Sequence, residues 1–142
     1  MKTVYSVAIV VITLLVISGL IYQNYVTTPL VYVNGINLII NEPQNSKLLI
    51  TGKVLLPSST FTIKANSFFE YELNITNYNN KTMYVTSVTT NTPGFQVPTK
   101  YLSQSLPLSI PPGQSKTLDV TVETPATSFS GPVNIIVNAS AT

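Results

Sequence analysis

Two patterns of apolar and polar residues divide the chain. From Val4 to Ile21 the sequence reads VYSVAIVVITLLVISGLI, an apolar run with no charge and no amphipathic period. After Tyr25 apolar and polar residues begin to alternate instead. As a helix rising 1.5 Å per residue, the first stretch reaches about 27 Å, close to the roughly 30 Å hydrocarbon core of a bilayer. Tyr5 stands at one end of it and Tyr22 and Tyr25 at the other, where amphipathic rings favour the two membrane–water interfaces. The pattern predicts a transmembrane anchor at 1–22, a short linker at 23–29 and one β-domain over 30–142, with residues 4–21 in contact with the lipid bilayer. A cleaved signal peptide is the competing reading. Its apolar part is usually shorter, and the one small-residue pair, Ser18-Gly19, is preceded by the bulky Ile17. Lys2 precedes the run, and no charge follows until Glu42. The positive-inside rule therefore places the amino terminus in the cytoplasm and the domain outside, as a single-pass protein of the cell membrane.

Beyond the linker the dominant signal has period two, the mark of half-buried strands. Phe69, Tyr71, Leu73 and Ile75 alternate with Glu70, Glu72, Asn74 and Thr76. Leu118, Val120 and Val122 alternate with Thr117, Asp119, Thr121 and Glu123. Val133, Ile135, Val137 and Ala139 alternate with Asn134, Ile136 and Asn138. A shorter strand is expected over Thr60–Lys64, with Phe61 and Ile63 inward. Strands are also expected at Val31–Ile40, Lys47–Leu55 and Met83–Thr89, although Ile39-Ile40 and Leu48-Leu49-Ile50 interrupt their alternation. Turn-forming residues separate these runs at Asn34-Gly35, Asn41–Ser46, Pro57–Ser59, Ala65–Ser67, Asn77–Lys81, Asn91–Gly94, Ile110–Gly113 and Ser128–Pro132. Proline lacks an N–H, so the ten prolines are expected at strand starts, edges and turns. The reading is an all-β ectodomain: an antiparallel, immunoglobulin-like β-sandwich of about seven to nine strands in two sheets.

Composition narrows the chemistry. Seven lysines and five carboxylates leave 8% of residues charged, against roughly 25% in an average soluble domain. Histidine, cysteine, arginine and tryptophan are absent. Without His and Cys the usual zinc, haem, blue-copper and iron–sulfur ligand sets are excluded, together with disulfides and the Ser–His and Cys–His nucleophiles. No catalytic residue, metal site or cofactor is expected, and the chain is read as a non-enzyme. The scattered lysines form no basic stripe of the kind that neutralises phosphates, so no nucleic-acid partner is expected. Glu70 and Glu72 are the one close carboxylate pair, about 7 Å apart on one strand face. That spacing suits paired acid catalysis, yet no third polar group or cleft signature accompanies it. Solvated surface is the reading adopted. Tyr78, Tyr84, Phe95 and Tyr101, in or near loops, are expected either to pack the ends of the sandwich or to form an exposed patch.

Three glycosylation candidates remain: Asn74 in Asn-Ile-Thr, Asn80 in Asn-Lys-Thr and Asn138 in Asn-Ala-Ser. Asn74 and Asn138 fall on predicted polar strand faces, and Asn80 falls in a turn.

The stretch from Asn66 to Ala141 carries NSFFEYELNITNYNN, NTPGF, LSIPPGQSKTLDVTVETP and SGPVNIIVNASA. It resembles the immunoglobulin-like accessory domains of prokaryotic, including archaeal, surface proteins of the cell-adhesion type. The overall layout is also similar to that of archaellum stator proteins. The resemblance implies an adhesive, spacer or docking module with no catalytic residues. The function expected is that of a membrane-anchored interaction or structural module, an accessory subunit of an archaeal cell-envelope or surface-filament assembly. Its partners would be other membrane or cell-surface proteins, in a homo- or hetero-oligomer. Two alternatives stand beside it: a small auxiliary subunit of a membrane enzyme complex such as a respiratory oxidase, and a pilin-like filament subunit. The pilin reading lacks the basic-Gly/Ala processing site and the early acidic residue.

Overall fold

A computed structural model describes residues 29–142. The predicted membrane anchor, including the bilayer-contacting residues 4–21, lies outside the described residues. Among those described, no helix is long and apolar enough to cross a membrane.

Eight strands follow in order: β1 (Leu30–Asn41), β2 (Leu48–Val54), β3 (Phe61–Lys64), β4 (Phe68–Asn77), β5 (Met83–Thr89), β6 (Leu108–Ile110), β7 (Ser115–Glu123) and β8 (Phe129–Ser140). They form a five-stranded sheet in the order β3-β1-β8-β5-β6 and a three-stranded sheet in the order β2-β4-β7. One apolar core joins the inward faces of both. The β4–β7 register shows how alternation builds it. Phe69 pairs with Val122, Tyr71 with Val120 and Leu73 with Leu118, all buried. The residues between them, Glu70 opposite Thr121 and Glu72 opposite Asp119, face outward. Each large aliphatic side chain buried this way contributes roughly 1.5–3 kcal/mol. Phe61 meets Phe69 edge-on at 4.9 Å between ring centroids, and Phe95 meets Phe129 likewise at 4.8 Å.

The antiparallel expectation needs correction at one seam. β1 and β8 run parallel, paired from Val31↔Phe129 to Asn41↔Asn138 with one register shift on the way. The two strands are far apart in sequence, so no tight turn constrains their direction. The expected turn at Asn34-Gly35 is instead a bulge inside β1. Gly35 takes φ 153° there, and the register slips between Val33 and Ile36. The slip moves Ile36, Leu38 and Ile40 onto the core side and Asn37, Ile39 and Asn41 onto the outer side. β8 answers with Gly131 at φ 150° and with Pro132, which is skipped in the pairing. A proline without an N–H is thus tolerated in a central strand because it sits at the bulge. The expected turn at Ser128–Pro132 is correspondingly the start of β8. β6, only three residues long, adds a strand that alternation does not announce.

The registers define two ends of the sandwich. At the leading end β1, β4 and β8 begin and β2, β3, β5 and β7 finish. At the trailing end β2, β5 and β7 begin and β1, β4, β6 and β8 finish. Each end is closed by a buried polar residue. Thr124, at the leading end, shares its one hydroxyl proton between the carbonyls of Lys64 and Ser67 and accepts from the Ser67 N–H. Asn77, fully buried at the trailing end, donates to the carbonyls of Lys81 and Ile110 at 2.8 and 2.7 Å. It also accepts from the backbone N–H and side-chain amide of Asn79. Gly52 in β2 has no Cβ because the Tyr71 ring crosses directly over it. Burial of that ring raises the Tyr71 phenol above 10.0.

Candidate functional site

The two outer faces of the sandwich differ in chemistry. On the five-stranded sheet asparagines form side-chain rungs. Asn37 donates to Asn134 at 3.2 Å, and Asn134 donates on to Asn91 at 3.0 Å. Asn41 donates to Asn138 at 2.9 Å, and Asn138 donates on to the Ser87 hydroxyl at 2.7 Å. Ile39 and Ile136 pair between these rungs. No carboxylate belongs to any strand of this sheet. On the three-stranded sheet lie four of the five carboxylates: Glu70 and Glu72 from β4, Asp119 and Glu123 from β7. The predicted pair Glu70 and Glu72 does share this face. Glu70 accepts a hydrogen bond from the Thr121 hydroxyl at 2.9 Å, and Glu72 forms an ion pair with Lys53 at 3.8 Å. Like charges stand directly opposite at Glu72 and Asp119, an arrangement that weakens a sheet slightly. Among the described residues no group of three or more acidic side chains converges tightly enough to hold a metal ion.

The edges of the three-stranded sheet also differ. β7 is covered by the segment that follows β5. Gln96 and Glu123 exchange backbone hydrogen bonds, Ser103 N–H donates to the Asp119 carbonyl, and the Gln104 side chain donates to the Thr117 carbonyl. β2 is hydrogen-bonded on one side to β4, and among the described residues no backbone bond is made from its other side. That leaves a seven-residue edge, longer than the β3 and β6 edges of the other sheet. An open edge of this kind presents alternate N–H and C=O groups to any extended partner strand.

At the leading end of the acidic face an open hollow of about 370 Å³ is lined by Phe68, Glu70, Tyr101, Thr121 and Glu123. The Phe68 ring is 60% exposed and Tyr101 52% exposed. The Lys100 ammonium lies 5.0 Å from the Tyr101 ring centroid. Of the aromatic residues singled out from the sequence, Tyr78 and Tyr101 are exposed. Phe95 is buried, and Tyr84 is half-buried in β5. Phe68 escaped the sequence reading because it directly precedes the inward Phe69 and reads as part of the same apolar run.

The three sequons lie in unlike settings. Asn80 is exposed in the β4–β5 connection, and its side chain makes no hydrogen bond among the described residues. Asn74 is exposed on β4, with its carbonyl oxygen accepting from Thr117 at 2.9 Å. Asn138 is half-buried on central β8, with both ends of its amide engaged in the asparagine rungs. No protein-family model and no curated protein sequence matches the chain.

Proposed function

We propose that the chain is a membrane-anchored, non-enzymatic, extracytoplasmic interaction module, with its amino terminus in the cytoplasm and its sandwich outside. We read the sandwich as immunoglobulin-like and the protein as an accessory subunit of an archaeal cell-envelope or surface-filament assembly. The observation that supports this best is the open edge of β2 beside an acidic outer face. A partner strand adding to that edge gains backbone hydrogen bonds, while the charges beside it select a partner of opposite sign.

The test is mild-detergent extraction of the full chain with a photo-cross-linker placed at Thr51 on β2 or at Thr62 on β3. Cross-linking to surface-layer or filament proteins from Thr51, and not from Thr62, supports the reading. Recovery of cofactor-bearing membrane subunits instead supports the auxiliary-subunit alternative. We further propose glycosylation in the order Asn80, Asn74, Asn138. On half-buried Asn138 the nitrogen that would carry the sugar already donates to Ser87, whereas the exposed Asn80 nitrogen makes no hydrogen bond among the described residues. An intact mass equal to that of the bare chain rules the modification out.

A further inference from the structure

The exposed large hydrophobic side chains are not spread evenly. Leu30, Tyr32, Leu55, Leu56, Phe68 and Tyr101 gather around the leading end, while Ile39, Leu49 and Tyr78 lie elsewhere. Leu30 and Tyr32 open β1. Leu55 continues β2 past its last paired residue, its N–H donating to the Glu70 carbonyl. Phe68 opens β4, and Tyr101 stands beside it across the hollow. At the leading end residues 65–67, 90–94 and 124–128 contain no charged residue, and the charges that border them are Lys64, Glu123 and, further along the β5–β6 connection, Lys100. The connections at the trailing end carry Glu42, Lys47 and Lys81. Exposed aliphatic and aromatic groups beside uncharged connections are unfavourable in open water and favourable at a membrane–water interface.

The chain itself limits what this end can meet. On the anchor reading the membrane run ends near Tyr22, and the sandwich begins at Leu30. Residues 23–29, fully extended, reach at most about 25 Å. On that reading the leading end is held within about 25 Å of the bilayer.

We propose that the leading end of the sandwich beds against the bilayer surface, with Phe68, Tyr101 and Leu55 at headgroup depth. This rests on the membrane-anchor reading above. Glu70 and Glu123, between the two rings, oppose deeper insertion because a carboxylate resists dehydration. Lys64 and Lys100, at the same end, can reach headgroup phosphates with their ammonium groups while their stems lie along apolar surface. The domain then stands with its strands steep to the membrane and its trailing end turned away from it.

The absence of tryptophan from the chain makes the test direct. Single variants F68W and Y101W at the leading end, and L49W and Y78W at the trailing end, are prepared in the full chain. Each is reconstituted into phosphatidylcholine vesicles whose acyl chains are brominated close to the headgroup. Flotation with the vesicles establishes anchoring separately. The expected result is fluorescence quenching several-fold stronger for F68W and Y101W than for L49W and Y78W. In a further variant, Leu55→Ser and Leu56→Ser added to F68W should weaken that quenching while flotation persists. Equal quenching at all four positions in a chain that floats overturns the bedding of the leading end and leaves the anchor standing. A chain that does not float overturns both. If quenching is equal and Phe68→Ser abolishes co-purification of a protein partner, the collar is a protein-docking surface instead.

Discussion

The two outer faces of the sandwich start from the same sequence signal, polar residues at every second position, and arrive at opposite uses. On the five-stranded sheet the asparagine amides satisfy one another across strands, from Asn37 through Asn134 to Asn91 and from Asn41 through Asn138 to Ser87. That face is knitted to itself. On the three-stranded sheet four half-buried carboxylates share the outer face: Glu70 accepts from Thr121, Asp119 keeps one buried oxygen without a partner, and the one ion pair among the described residues is Lys53–Glu72, whose lysine is mostly exposed. Such a pair contributes little to stability. A face whose amides partner one another across strands supports the fold, whereas a face that gathers four carboxylates around a single ion pair carries net negative charge that something else can meet.

Substitutions can separate the two faces. The scale is set by Asn77, which belongs to neither. Asn77→Leu strands the buried carbonyls of Lys81 and Ile110 and should cost about 2–4 kcal/mol in urea unfolding. Asn134→Ala and Asn138→Ala each remove two side-chain bonds from the knitted face, and each should cost about 1 kcal/mol. A double-mutant cycle of Asn41→Ala with Asn138→Ala should return a coupling of about 0.5 kcal/mol or more. Zero coupling would mean that the rungs are ornament and that the two faces do not differ in this respect. Tyr71 adds a probe from beneath the acidic sheet. Burial raises its folded-state value above 10.0, so above that pH the unfolded chain loses this proton first. The stability tied to the neutral phenol is complete below pH 10.0 and is lost as pH rises through the higher folded value. Tyr71→Phe should flatten this alkaline decline in unfolding midpoint. The smallest effect belongs to the acidic face. Asp119→Asn removes one of two opposed like charges and should shift stability by less than about 0.5 kcal/mol, in the stabilising direction. A loss above 1 kcal/mol would show that this face, too, is structural.

The same contrasts mark how far the sequence could be read. β4, β7 and β8 were legible because each keeps strict alternation over its buried length. β1 was harder, since the bulge at Asn34-Gly35 changes its parity midway and makes Ile39 and Ile40 look like an error. In β2 the apolar Leu49 occupies an outer position between inward Leu48 and Ile50, which blurs the same signal. Parallel pairing of β1 with β8 depends on which distant strand is the neighbour, and residue patterns do not encode that. Among site residues, Glu70 and Glu72 were correctly placed on one face. The rungs of Asn134 and Asn138 were seen only as polar positions and sequons, because their partners lie on other strands. The collar around Phe68 was invisible for a similar reason, since it is assembled from β1, β4 and two connections.

The parallel seam has a mechanical consequence. Because β1 and β8 lie side by side and point the same way, the chain joins the sandwich at one end and leaves it at the other. A pull on Leu30 against Ser140 therefore loads the hydrogen bonds from Val31↔Phe129 to Asn41↔Asn138 in shear, all together, and not one at a time as in unzipping. The Asn37–Asn134 and Asn41–Asn138 rungs cross the same line and share the force. A domain tethered at its leading end and gripped at its trailing end would resist extension along its strongest direction.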